Sequence, residues 1–233
     1  ESGKPAYGTD YNQSAAAIWL HHCEKGVMQY NAVYDCLKIG TNNDGMAYDF
    51  DYNCNACILQ YNYSNNNAGG FLLIMPTATN NIARYNISEN DCRHVLYCVG
   101  DTAENNQVYN NTFYINRDSS YIVSNAKFIN NIFMTGKDAK MKLEDSTRGI
   151  FKSNCYYGNW SDLPADGRAI MANPLLNDPG HGGMYAENLK GYALKKQSPC
   201  IRKGTSISNC GAHDAVGKHL RQGEVPDIGA IRH

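Results

Sequence analysis

The sequence lacks three features that would indicate a nucleic-acid-binding or membrane-inserted protein. Charged residues make up only 18% of the chain, and the formal net charge is −1, so no excess of one sign exists. No basic stripe is present that would hold a phosphate backbone. No run approaches the ~18 apolar residues that a membrane-spanning helix needs. Both nucleic-acid binding and membrane insertion are therefore disfavoured.

The composition instead indicates a folded, β-rich protein. Hydrophobic residues account for 42% of the 233 residues, which is enough for a continuous core. Since charge is scarce, the polar surface must come mostly from Asn, Ser, Thr and Tyr, as is typical of extracellular β-proteins. We therefore expect a secreted, periplasmic or cell-surface location. The sequence opens with Glu1, and no signal peptide is recognisable in residues 1–5.

The nine cysteines leave three interpretations open. Disulfides in a secreted protein would leave at least one cysteine unpaired, because the count is odd. Cys54 and Cys57 have a CxxC spacing, which is half of a zinc or redox motif. The third interpretation is that the thiols are small apolar side chains that fill tight corners. The cysteines are Cys23, Cys36, Cys54, Cys57, Cys92, Cys98, Cys155, Cys200 and Cys210.

An internal repeat is the most informative feature of the sequence. Six segments share an apolar residue, two variable residues, an asparagine and then a β-prone residue two positions later. They read VMQYNAVY, ILQYNYSN, IARYNISE, QVYNNTFY, KFINNIFM and IFKSNCYY, with asparagines at Asn31, Asn62, Asn86, Asn111, Asn131 and Asn154. The intervals of 31, 24, 25, 20 and 23 residues are close to one turn of a parallel β-helix.

This repeat predicts an all-β, right-handed parallel β-helix of about six to eight coils. One coil cannot bury its own inner face, so coils stack about 4.8 Å apart around a shared core. We expect the asparagines to occupy the left-handed bends and to hydrogen-bond to one another as a ladder. Residues 1–160 are assigned to the coils. Residues 161–233 are assigned to an irregular segment of the same domain that packs on the helix and caps its last coil.

Six segments of the sequence resemble those of a known protein family. They are AIWLHHCEKGVMQYN, AYDFDYNCNACILQYNYSNNNAGGFLLI, ARYNISEND, NPLLNDPG, GYALKKQSPCI and PDIGAI. These segments are similar to bacterial right-handed parallel β-helix repeat proteins of the pectate-lyase-like superfamily, many of which act on polysaccharides. The resemblance implies the solenoid fold and a polysaccharide or oligosaccharide partner. It does not choose a reaction, because β-helix families include lyases, hydrolases, epimerases and binding proteins.

Asp49 and Asp51 are the first candidate catalytic residues. Residues two apart on a strand share a face, and the aromatic residues Tyr48, Phe50 and Tyr52 fit the core better, which turns both carboxylates outward. A pair of carboxylates can supply the acid and base of a glycoside hydrolase. Two other interpretations stay open: a solvated polar surface, or a calcium site on Asp49 and Asp51 completed by Asn53. Calcium is the one cofactor that the sequence suggests.

Other polar residues are predicted to line the same groove. A lyase needs a base beside the substrate carboxylate and a cation to neutralise it, and Arg93 with His94 is the best pair for these roles. The predicted substrate-binding residues are Trp19, His21, His22, Asp44 and Arg84. Trp19 is placed there because an indole ring can stack on a sugar.

The sequence therefore favours a carbohydrate-active enzyme with its glycan in a groove along one parallel sheet. A glycoside hydrolase is the first hypothesis, and a calcium-dependent polysaccharide lyase is the second. A third hypothesis from another class is a non-catalytic glycan-binding or surface solenoid, or one part of a larger enzyme. The sequence makes no prediction about the oligomeric state.

Overall fold

The computed structural model describes residues 16–38, 44–144, 148–221 and 223–233. Residues 1–5, where no signal peptide was recognised, lie outside these ranges. Sixteen strands are described. They are β1 Ile18–Leu20, β2 Val27–Gln29, β3 Ala32–Tyr34, β4 Met46–Phe50, β5 Ile58–Gln60, β6 Tyr63–Asn65, β7 Gly70–Ile74, β8 Ile82–Arg84, β9 Ile87–Glu89, β10 Arg93–Cys98, β11 Gln107–Tyr109, β12 Thr112–Val123, β13 Lys127–Ile129, β14 Ile132–Leu143, β15 Ile150–Lys152 and β16 Cys155–Tyr157.

These strands form a parallel β-solenoid, as the repeat predicts. One sheet has the order β2-β5-β8-β11-β13-β15, so each strand pairs with its equivalent in the next coil. The other strands join into a ten-stranded sheet because β12 and β14, at 12 residues each, run through the bend that interrupts the earlier coils. The solenoid has about five turns, fewer than the predicted six to eight. Six equivalent asparagines enclose only five intervals, which explains the smaller number.

The asparagine ladder is present and involves all six predicted residues. At each step, one side-chain oxygen accepts hydrogen bonds from both the backbone N–H and the side-chain amide of the preceding asparagine. From Asn31 to Asn62 these distances are 2.9 and 3.0 Å, and from Asn131 to Asn154 they are again 2.9 and 3.0 Å. Asp166 ends the ladder, since its Oδ2 accepts both bonds from Asn154. The ladder thus satisfies buried polar groups at every bend.

The left-handed backbone conformation lies one residue earlier than predicted. Positive φ angles occur at the residue before each ladder asparagine, for example 57° at Tyr30 and 58° at Tyr61. The asparagines themselves are not in this conformation. Asparagine is therefore needed at the ladder position for its side-chain hydrogen bonds. The preceding position, which has the positive φ angle, is occupied by Tyr, Asn or Ser.

The main core fills the inside of the solenoid with stacked rings. Phe113 stacks on Phe133 with ring centroids 5.1 Å apart, and Phe128 stacks on Phe151 at 4.7 Å. None of the nine cysteines forms a disulfide, and five of them are fully buried. This arrangement agrees with the interpretation of the thiols as small apolar side chains. No helix in the described ranges is long and apolar enough to span a membrane.

The C-terminal segment contacts the last strands and also covers one side of the solenoid. Ile170 of this segment bridges to Cys155 of β16, and Trp160, which directly precedes the segment, bridges to Met141 of β14. Beyond Ile170, the chain returns along the earlier coils. A second apolar cluster joins Tyr85 and Tyr109 of the coils to Ile228 of the segment. The capping of the last coil stays a prediction. The division at residue 160 and the right-handed winding stay predictions.

Candidate functional site

Asp49 lies in the middle of β4, on its outer face. Its neighbours Tyr48 and Phe50 belong to the main core, so alternation turns Asp49 away from it. In register, Asp49 lies between Trp19 of β1 and Leu73 of β7. Leu73 belongs to a small apolar cluster outside the main core. The residues paired with Asp49 on the two neighbouring strands are therefore both apolar.

The Asp49 side chain is buried, which differs from the prediction of two exposed carboxylates. The residue is 6% exposed, and its Oδ1 atom has no hydrogen-bond partner. Burial, together with the charges of Asp51 and Asp44, raises the pKa of Asp49 to about 8. Asp49 therefore keeps its proton at neutral pH.

Asp51 lies just beyond the strand, because β4 ends at Phe50. Its backbone N–H donates to the Leu20 carbonyl at 2.9 Å, and its Oδ1 accepts from the Tyr52 backbone N–H at 2.7 Å. Tyr52 is 42% exposed and is not part of the core, so the prediction that it points inward is wrong. The alternation argument fails here because the chain turns after Phe50.

Asp44 is the third carboxylate of this site. It is partly buried and precedes Gly45, whose φ of 83° starts the bend into β4. Burial raises the pKa of Asp44, and the charge of Asp51 raises it further. The three residues Asp44, Asp49 and Asp51 thus influence one another electrostatically and are called the carboxylate cluster below. The sequence predicted Asp44 as a substrate-binding residue and not as part of a cluster.

Trp19 and two histidines lie on the neighbouring coil. Trp19 is 52% exposed and lies beside Asp49 in the sheet. His21 and His22 follow β1, and their Nε2 and Nδ1 atoms are 2.8 Å apart. The His22 backbone N–H donates to the Tyr52 carbonyl at 2.9 Å, which stacks this bend on the bend that carries Asp51. Trp19, His21 and His22 therefore lie near the carboxylate cluster.

Asn53 is hydrogen-bonded to the same bend. Its Nδ2 atom lies 2.9 Å from His22 Nε2, and its backbone N–H donates to Thr77 Oγ1 at 3.1 Å. Within the described ranges, no group of three or more His, Cys, Asp or Glu residues is arranged to hold a metal ion. The calcium site on Asp49, Asp51 and Asn53 stays a prediction.

Arg93 and His94 begin β10, two strands from β4 in the same sheet. His94 is buried, its Nδ1 atom has no hydrogen-bond partner, and its ring lies 4.5 Å from that of Tyr97. Burial, together with the charge of Arg93, lowers the pKa of His94 to about 4. Neutral His94 is too weak a base, and too buried, to be the best candidate for proton removal.

Arg84 lies on a different face of the solenoid. It ends β8, in the six-stranded sheet, and is buried beneath the C-terminal segment. Its guanidinium donates to Gln60 Oε1 at 2.8 Å, to Tyr109 Oη at 3.1 Å and to the Asn209 carbonyl at 2.9 Å. The prediction that Arg84 lines the groove of Asp49 is wrong, because residues more than a hundred positions away in sequence cover it.

Comparison with known proteins finds a similarity to an enzyme whose name describes carbohydrate cleavage. No family model matches the sequence. Over 224 residues, the chain is 37% identical to a lacto-N-biosidase of Bifidobacterium longum subsp. longum. This alignment covers 91% of the chain but only 14% of the relative's length. The chain is thus similar to one part of a much longer glycoside-cleaving protein.

Proposed function

We propose that the chain is a glycoside hydrolase, or the part of one that holds the catalytic carboxylates. The observation that carries the proposal is the carboxylate cluster beside the exposed ring of Trp19. Glycoside hydrolysis commonly uses two carboxyl groups, one protonated and one ionised, on either side of the scissile bond. The similarity to a lacto-N-biosidase supports the same reaction class.

Asp44 and Asp51 are the best pair for the acid and base roles. Both are partly exposed, so both can reach a sugar. The raised pKa of Asp44 suits a general acid, and we assign the nucleophile or base role to Asp51. Asp49 was the predicted partner of Asp51, but it is too buried to contact the scissile bond. We assign Asp49 to a supporting role beneath the pair.

Trp19 is assigned to substrate binding. Its side chain is exposed, and its backbone pairs with that of Asp49 on the neighbouring strand, at the usual strand spacing of about 4.8 Å. A sugar ring stacked on this indole would hold the next linkage near the carboxylate cluster. The name of the similar protein points to glycans that carry a lacto-N-biose unit as the first substrates to test.

The direct test is product analysis with matched variants. We would incubate the chain with an aryl β-glycoside of lacto-N-biose and with plant, algal and host glycans, and identify products by mass spectrometry. We expect products that have gained water. Asp44→Asn and Asp51→Asn should each lower kcat about 100-fold or more, since general acid–base catalysis contributes about 10²–10⁴-fold. Asp138→Asn, which changes an exposed carboxylate on β14, should retain full activity.

Three outcomes would contradict the hydrolase proposal. Unsaturated products that disappear with EDTA would indicate the calcium-dependent lyase. Glycan binding without any product would indicate a binding solenoid. Equal activity of Asp51→Asn and Asp138→Asn would show that the carboxylate cluster is not the catalytic site.

A further inference from the structure

A large cavity lies between the C-terminal segment and the side of the solenoid. Its volume is about 1020 Å³. The solenoid contributes Tyr85 and Asn110, and residues from 196 to 233 form the remaining wall. None of the carboxylate cluster, Trp19, His21 or His22 lines it. The cavity is therefore a separate feature from the site proposed above.

The floor of the cavity is held in place by hydrogen bonds. Asn110 Nδ2 donates to the carbonyl of Asp227 at 2.9 Å and to that of Gly229 at 3.2 Å. Arg84 fixes the opposite part of the wall by donating to the Asn209 carbonyl. Tyr85 is buried at the base. A floor tied to the rigid coils is preformed, so little conformational entropy is lost when a ligand binds.

Positive charge dominates the walls of the cavity. Five basic residues line it, against two acidic residues, Glu224 and Asp227. Glu224 is already paired with Arg221 at 3.2 Å and with Arg232 at 3.1 Å. Asp227 accepts the backbone N–H groups of Arg202 and His233, both at 2.7 Å. Among the described residues, the Lys196, Arg202 and Lys218 side chains thus have no carboxylate partner.

We infer that this cavity binds an anionic saccharide, one that carries sulfate or carboxylate groups. Unpaired ammonium and guanidinium groups form their strongest hydrogen bonds with such anions. Ligand pockets typically measure roughly 300–1,000 Å³, so this cavity is large enough for a disaccharide, whereas a free inorganic anion would leave most of it empty. The inference does not depend on the proposed hydrolase activity.

The test is calorimetric titration of the whole chain with three probes. They are a sulfated uronic-acid disaccharide, inorganic sulfate and lactose, each at 50 and 200 mM NaCl. We expect one site for the sulfated disaccharide, at least tenfold tighter than for sulfate, and weaker binding at the higher salt concentration. Arg202→Gln combined with Lys218→Gln should weaken binding at least tenfold. The matched control combines Lys137→Gln with Lys140→Gln, two exposed lysines on β14, and should bind normally.

Each alternative outcome would overturn the inference. Absence of saturable binding by the sulfated disaccharide would remove the site. Equal affinity for lactose would show that charge does not determine recognition. Sulfate that binds as tightly as the disaccharide would show an anion site and not a saccharide site. Equal weakening in the control pair would show non-specific attraction to basic side chains.

Discussion

Asp49 is the residue with the least favourable environment for its ionised form. It is buried among apolar side chains, and its Oδ1 atom lacks a hydrogen-bond partner. Burying such a carboxyl group is costly unless it keeps its proton. Groups with strongly raised pKa values are common at functional sites, which is consistent with a role beneath Asp44 and Asp51.

The raised pKa of Asp49 predicts that stability decreases with increasing pH. The pKa is about 8 in the folded chain and about 3.9 in an unfolded chain. Because the folded state holds the proton more tightly, this contribution is fully present below pH ~4 and is lost as the pH rises through about 8. Asp49→Asn is neutral at every pH. The variant's stability relative to the parent should therefore rise by at least about 2 kcal/mol between pH 5 and pH 8.

Urea unfolding of both proteins at pH 5, 6, 7 and 8 measures this difference. Asp138→Asn serves as the control, because its exposed carboxylate is paired only at the surface with Lys137. The control should follow the parent at each pH. If the difference between Asp49→Asn and the parent stays constant over this range, Asp49 is ionised in the folded chain and the assignment is wrong.

At the scale of residues, the sequence predicted which side chains of the candidate site lie together, but it did not predict the burial of Asp49. Trp19, His21, His22, Asp49 and Asp51 do lie together, because one coil stacks directly on the next. The burial of Asp49 was not predictable, since it depends on side chains such as Leu73 from another coil. The misplacement of Arg84 has the same origin, since its partner Asn209 belongs to the distant C-terminal segment.

At the scale of elements, the asparagine ladder connects all the coils. The sequence predicted its members correctly because each bend needs a side chain that both donates and accepts hydrogen bonds. Shorter ladders were missed, including the one in which Asp91 accepts bonds from the backbone and side chain of Asn67. Asn67 and Asp91 do share a position, two residues after β6 and β9, but their residue types differ, so the search for repeated asparagines did not reveal them.

Removing one ladder residue should destabilise the solenoid strongly. Asn111→Ala deletes the oxygen that accepts two bonds from Asn86, and also the amide that donates to Asn131. Buried groups that lose their partners cost about 1–3 kcal/mol each. We therefore expect a loss of about 3–5 kcal/mol in the free energy of unfolding, measured with urea. Asn159→Ala, at an exposed position, should change it by less than about 0.5 kcal/mol. Similar values for both variants would contradict a structural role of the ladder.

At the scale of the molecule, the C-terminal segment decides which faces of the solenoid are open. It covers Tyr61 and Tyr85, which precede two of the ladder asparagines, and its apolar residues do not cover the outer face of β4. The repeat predicted the solenoid, but it carried no information about this covering. The C-terminal segment has no sequence repeat that would align it with the coils, so its path over the solenoid depends only on its tertiary contacts. The carboxylate cluster and the basic cavity consequently lie in different surroundings.

Glu89 of β9 holds part of this segment by hydrogen bonds, and its replacement leads to a prediction about the whole molecule. Its Oε2 atom accepts hydrogen bonds from Tyr63 Oη at 2.8 Å, Tyr192 Oη at 2.6 Å and the Gly182 backbone N–H at 3.0 Å. Glu89→Leu leaves these three donors without an acceptor, so residues 180–194 should detach locally before the coils unfold. Hydrogen exchange measured by mass spectrometry should become at least tenfold faster in that peptide. Exchange around the ladder asparagines should stay slow.

The control is Glu187→Leu, which changes an exposed position in the same segment and should exchange like the parent. Unchanged exchange in Glu89→Leu, or equal acceleration throughout the chain, would show that the segment and the solenoid unfold as one unit.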